Sequence, residues 1–137
     1  MDDCIFCKII RKEIPAVIFH ETEEFVAFVD TQPNNFGHSL VVPKKHFENI
    51  YTLEGKTSEA LGEELRLVSK AIKEAVEADG INIHMNNDRA AGQIVFHAHF
   101  HIIPRFMNDR FAHWIQKSYE YPDQMKEIGE KIKSKLS

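Results

Sequence analysis

Q-I-V-F-H-A-H-F-H-I-I-P-R, residues Gln93–Arg105, is the stretch on which the reading of this chain turns. Val95, Phe96, Phe100, Ile102 and Ile103 give it the composition of a β-strand, and Pro104 is expected to end the run. Side chains alternate between the two faces of a strand. His97, His99 and His101 are therefore predicted to share one face, with Phe96, Ala98, Phe100 and Ile102 on the other. Neighbours on one face lie about 6.5–7 Å apart. Each imidazole has two nitrogens that need partners, and a buried polar atom left unpaired costs about 1–3 kcal/mol. Three imidazoles in register on a buried strand are expensive as packing, so this row points to chemistry.

The chain around it has 137 residues, the length of one ordinary domain, with 43% hydrophobic and 28% charged residues. A chain of this size buries about two-thirds of its unfolded surface and needs no disulfide framework. No apolar run approaches the ~20 residues of a membrane span. The N-terminus is acidic and lacks an apolar leader core, so a cytoplasmic protein is expected. A formal charge of −4 argues against nucleic acid as a partner. An anionic ligand must then be held by local groups.

Outward from the histidine run, Ile81–Asn86 reads as a strand that pairs with it through the turn-rich Asn87–Gly92. Upstream, Leu61, Leu65, Val68, Ile72 and Val76 recur with helical period and predict a helix over Thr57–Ala78. Thr57 or Ser58 is its expected N-cap and Asp79-Gly80 its stop. His38–Pro43, Phe25–Asp30 and Ala16–His20 read as three more strands, and Lys44–Ile50 as a short helical turn carrying Lys44, Lys45 and His46. Cys4–Arg11 suits a short amphipathic helix, and Pro122–Leu136 a final one with Met125, Ile128, Ile132 and Leu136 on one face. Arg105–Tyr121 is rich in aromatics and shows no period. About five short strands outside a βαβ alternation, with one long helix and a C-terminal one, predict a single antiparallel α+β domain over residues 1–137.

Cys4 and Cys7 form a C-x-x-C pair at the start of the chain. No strand precedes it, which speaks against a thioredoxin-like motif. Two thiols are half of a tetrahedral zinc site, and two histidines from elsewhere can complete it.

The pattern H-A-H-F-H-I-I over His97–Ile103 resembles the signature of the histidine triad (HIT) family. Cys4–Ile10, Gly37–His46, Asn86, Gly92-Gln93 and Pro104-Arg105 resemble further family landmarks in the same order. The resemblance implies an enzyme acting at the α-phosphorus of a purine nucleotide, such as a nucleoside 5′-phosphoramidate, and yielding AMP by way of a nucleotidyl-histidine. It implies His99 as nucleophile and His101 as the group touching the phosphate and leaving atom. Ile5, Phe6, Ile9 and Phe28 become the base pocket, Asp30 the ribose acceptor, and Asn86, Gly92 and Gln93 further nucleotide contacts. Where many phosphoramidase-like members have serine after the Gly-Gln pair, this chain has Ile94. The resemblance also implies a structural zinc held by Cys4, Cys7, His46 and His97, and a homodimer. His20, His38, His84 and His113 are read as ordinary histidines, His38 as structural.

Three other readings compete. A dinucleoside polyphosphate hydrolase uses the same nucleophile on another leaving group. A metalloenzyme binds a catalytic metal through His97, His99 and His101. A nucleotide-binding module keeps the pocket with little turnover.

Overall fold

The computed structural model describes residues 3–112 and 114–136, so His113 lies outside the described residues. Helix α1 (Ile5–Ile10) is followed by strands β1 (Ile18–Glu21), β2 (Phe25–Val29) and β3 (Ser39–Pro43). Helix α2 (Gly55–Ala75) leads into β4 (Gly80–His84) and β5 (Phe100–Arg105), and α3 (Gln124–Lys135) closes the chain. All neighbouring strands pair antiparallel, in the order β1-β2-β3-β5-β4. The architecture is α+β, and no helix among the described residues is long and apolar enough to cross a membrane.

Strand alternation divides the core into two layers. Phe25, Ala27, Val41, Phe100 and Ile102 meet Val68 and Ile72 of α2 on one face. Val26, Phe28, Leu40 and Val42 meet Phe6 and Ile9 of α1 on the other. The apolar stripe read from the sequence is thus the face by which α2 covers the sheet. Residue 37 must be glycine at this junction. Its φ is +105°, and a Cβ would stand 3.0 Å from Val76 and 3.2 Å from Pro104.

Several boundaries differ from the sequence reading. Helix α2 starts at Gly55 with Glu54 at its N-cap, because the Thr57 hydroxyl instead donates to Glu24 at 2.9 Å. It ends at Ala75, and Glu77 takes a positive φ of 54° before Asp79 and Gly80 are reached. Lys44–Asn49 is not helical; a 3₁₀ turn forms only at Ile50–Thr52. Pro104 lies inside β5. Its carbonyl accepts from the Asn35 side chain on the side where β3 has already ended, so its missing N–H costs no ladder bond.

The largest difference concerns the histidine run. Regular pairing begins only at Phe100, where Val41 is opposite. Ala98 gives its N–H to the carbonyl of Phe47, in the segment that follows β3. His101 is therefore a strand residue, while His97 lies on a bend and His99 on the residues that lead from it into the strand.

One buried carboxyl group lies away from this region. Glu64 of α2 is 4% exposed, and its Oε1 lies 3.4 Å from Nε2 of His20 on the edge strand β1. Replacing His20 with alanine leaves that carboxylate without its partner. Urea unfolding of His20→Ala is expected to show a loss of about 1–3 kcal/mol, recovered when Glu64→Leu is added. An unchanged midpoint for the single variant would mean the pair contributes nothing.

Candidate functional site

Helix α1 and the approach to β5 enclose a cleft of about 420 Å³ on the α1 face of the sheet, within the size range of small-molecule sites. Ile5, Phe6, Ile9 and Phe28 form its apolar end. Asp30, Asn86, Gly92, Ile94, His99 and His101 also line it. No lysine or arginine lines it, among the described residues. Negative charge in the cleft must then be met by imidazole, amide and backbone donors.

The hydrogen bonds fix the tautomer of each central imidazole. His99 Nδ1 donates to its neighbour's carbonyl, that of His97, at 2.7 Å. Its Nε2 is left as a bare lone pair. Behind it, the Asn34 backbone N–H donates to His38 Nδ1 at 2.9 Å. The His38 proton is therefore on Nε2, which stands 2.9 Å from His101 Nδ1 and donates to it. That leaves the His101 proton on Nε2. The His99 and His101 rings lie 5.2 Å apart, so a lone pair and an N–H are presented side by side.

Burial pushes His99 below the ordinary imidazole range, against the pull of the His97 carbonyl. Burial, together with the His99 and His38 rings, brings His101 down to about 4. Both are neutral at pH 7, as a lone-pair nucleophile and a neutral donor require.

A second cluster adjoins the cleft. Cys4 Sγ and Cys7 Sγ lie 3.4 and 3.6 Å from His97 Nδ1, and Cys7 Sγ lies 3.4 Å from His46 Nδ1. All four donor atoms fall within 4.8 Å of one another. With zinc–sulfur bonds of about 2.3 Å and zinc–nitrogen bonds of about 2.0–2.1 Å, the sulfur–nitrogen edge of a zinc tetrahedron is about 3.5 Å. The donor set and its spacing fit. His97 Nε2 donates to the Pro43 carbonyl at 2.8 Å, which leaves Nδ1 bare toward the thiols and aims the ring, as the outer partner of a metal-bound histidine does. This geometry sets His97 apart from His99 and His101 and disfavours one catalytic metal shared by the three.

The predicted residues come together with one exception. Gln93 is 3% exposed and does not line the cleft. Its Nε2 donates to the carbonyls of Glu48 and Val95, and its Oε1 accepts from the Asp88 N–H. Its hydrogen bonds all go to the backbone of the loop, so it is a brace and not a ligand contact. Asp30 has Oδ2 3.5 Å from His38 Nε2, and its Oδ1 accepts from the Gln32 N–H. Gly92 has a φ of +95°, and a Cβ there would come within 3.3 Å of the Asn86 amide.

Two residues set aside in the sequence reading belong to the site. His38 orients His101, and His84 donates to Asn86 Oδ1 at 2.7 Å with its ring 5.9 Å from that of His101. The signal for His38 was present: it alternates onto the face of Leu40, which lines the cleft.

Comparison with protein-family models matches residues 11–108 to the HIT domain. The chain belongs to the HIT family. Among HIT proteins, the adenosine 5′-monophosphoramidase of Schizosaccharomyces pombe is 40% identical over 135 residues, covering 97% of this chain and 98% of that one. The crystal structure of a Streptococcus mutans protein superposes with a TM-score of 0.92 at 36% identity, covering 100% of this chain and 87% of that one. A zinc-bound histidine triad family protein from Mycobacterium smegmatis superposes with a TM-score of 0.76 at 32% identity, covering 85% of each chain.

Proposed function

We propose that this HIT protein hydrolyses purine nucleoside 5′-phosphoramidates, or closely related adenylates, at the α-phosphorus. The observation that carries the reading is the bare Nε2 of His99 beside the proton-bearing Nε2 of His101, at the edge of an apolar cleft. The kinship with an adenosine 5′-monophosphoramidase supports it.

In the first step, His99 Nε2 forms a bond to phosphorus as the P–N bond to the amine breaks. His101 Nε2–H is hydrogen-bonded to the departing atom. That N–H stabilises the charge that develops as the amine departs, and the amine takes its proton from solvent at the mouth of the cleft. In the second step, water attacks phosphorus, its proton passes to solvent at the mouth of the cleft, and the N–P bond breaks to release AMP. The purine packs between Ile5, Phe6, Ile9 and Phe28, and the ribose hydroxyls donate to Asp30. Asn86 and the Gly92 backbone face the phosphate end. Ile94 is 88% exposed at the rim and offers no hydroxyl there.

Cys4, Cys7, His46 and His97 would hold zinc. Four protein ligands close its coordination sphere, so its contribution is structural. In this reading residues 1–137 form one HIT domain that works in the cytoplasm as a homodimer, without nucleic acid or membrane.

The test is rapid mixing with adenosine 5′-phosphoramidate, followed by intact-protein mass analysis. A transient adenylyl adduct on His99 and release of AMP are expected. AMP binding with no turnover of this substrate would instead favour a dinucleoside polyphosphate as substrate, or a binding module. His38→Ala is expected to lower kcat about 10–100-fold while KM stays near wild type, because it frees the His101 tautomer without touching the ligand. A change confined to KM would remove that role.

A further inference from the structure

Four register partners run across the sheet on the face of the cleft. Phe28 of β2 stands opposite Leu40 of β3, Leu40 opposite His101 of β5, and His101 opposite His84 of the edge strand β4. Directly opposed residues share a face. Phe28, Leu40 and His101 all line the cleft, Phe28 at its apolar end. The row continues past His101 by one strand spacing, about 4.8 Å, and ends on His84. The His84 ring is exposed and lies 5.9 Å from that of His101.

The hydrogen bonds fix which nitrogen of His84 carries the proton. The Gly92 carbonyl can only accept, so the Asn86 atom that faces it at 3.3 Å is the amide nitrogen. Asn86 Oδ1 is then the atom 2.7 Å from His84 Nε2, and it must receive a proton from that nitrogen. In the neutral ring Nδ1 is left as a bare lone pair, an acceptor.

On the α-phosphorus reading given above, on which this inference rests, the nucleotide occupies the Phe28 and Leu40 side of His101. The departing group then lies on the other side, toward His84. The departing nitrogen of a phosphoramidate has two needs there. Its lone pair takes the bond from His101 Nε2–H, and its own N–H requires an acceptor. A sulfate, phosphate or carboxylate leaving group presents only lone pairs at neutral pH and gives Nδ1 nothing to accept. We propose that His84 is a specificity-determining residue of the leaving-group site: its Nδ1 accepts from the N–H of the departing amine and favours phosphoramidates whose leaving nitrogen carries hydrogen. No proton is transferred in this contact. The N–H bond stays intact, and the acceptor raises electron density on nitrogen, which eases its protonation by solvent.

The test compares kcat/KM for adenosine 5′-(N-methyl)phosphoramidate and its N,N-dimethyl counterpart, which differ in that one N–H. Wild type is expected to prefer the first, and His84→Leu to lower that preference about 10-fold, the size of one hydrogen bond made in the transition state. His84→Gln is expected to recover part of it, because its amide nitrogen can donate to Asn86 while its oxygen accepts from the amine. The preference is a ratio taken on one preparation, so it does not depend on the fraction of a variant that folds. An unchanged preference in His84→Leu overturns the proposal. An equal loss on both substrates overturns it too, and assigns His84 to holding Asn86 alone. Wild type that binds AMP and cleaves neither substrate removes the α-phosphorus reading itself, and this inference with it.

Discussion

His99→Ala is expected to lower AMP release from adenosine 5′-phosphoramidate at least about 1,000-fold, equivalent to about 4 kcal/mol of barrier. The size follows from what the residue supplies. His99 Nε2 is the lone pair left bare by the bond from Nδ1 to the His97 carbonyl. Without it the reaction must proceed by direct attack of water, with no group positioned to replace the nucleophile. Binding should survive, because the base pocket is built from α1 and β2 and the fold does not rest on this ring. The check is a pair of measurements on one preparation: turnover, and AMP affinity by calorimetry. Turnover within tenfold of wild type would exclude His99 as the nucleophile. Loss of affinity and turnover together would mean that the ring is holding the pocket open.

Removal of metal is expected to act on the fold and on affinity before it acts on the chemical step. The donor cluster joins three distant segments: Cys4 and Cys7 at α1, His46 after β3, and His97 before β5. Structural zinc is worth many kcal/mol in small sites, and a net share of only about 3 kcal/mol here lowers Tm by roughly 10 °C. The effect on the nucleotide follows from α1, a helix of six residues that cannot hold itself in place. It carries Cys7 toward the cluster, while Ile5, Phe6 and Ile9 face the cleft. The Phe6 ring lies 5.9 Å from that of His97 and 5.1 Å from that of His99, so it touches both sites. Chelation should therefore weaken AMP binding, and Cys7→Ser should reproduce both effects. Metal analysis that finds no zinc, with a Tm indifferent to chelator, removes the structural role. An intact melt combined with lost turnover points to a catalytic metal.

Local patterns made much of this legible, and tertiary partners account for what they missed. The period of Leu61–Val76 marked the core face of α2 because packing demands that spacing. The alternation of Phe25 and Ala27 with Val26 and Phe28 places the two pairs in opposite core layers, as the period of a strand requires. The start of β5 differs from the sequence reading because strand composition does not reveal where pairing with a neighbour stops. Val41 is the last partner opposite, and His97 and His99 lie beyond it. Gln93 was assigned outward because a polar side chain beside a motif gives no hint of three backbone partners behind it. His38 was undervalued because its role depends on a 2.9 Å contact across the sheet to a residue 63 positions away. The four metal-donor residues did meet, although the thiols and His97 are some 90 residues apart in sequence.

The line of hydrogen bonds behind His101 has a consequence for proton traffic. It runs back through His38 and stops at the backbone amide of Asn34. A peptide N–H does not ionise near neutral pH, so the line is a dead end and cannot act as a wire. It sets which way the imidazoles point and conducts nothing. Protons that enter or leave the reaction must cross the mouth of the cleft, carried by solvent or by the substrate itself. A single proton in flight is then the natural outcome, and rates in mixtures of light and heavy water should fall on a straight line against deuterium fraction.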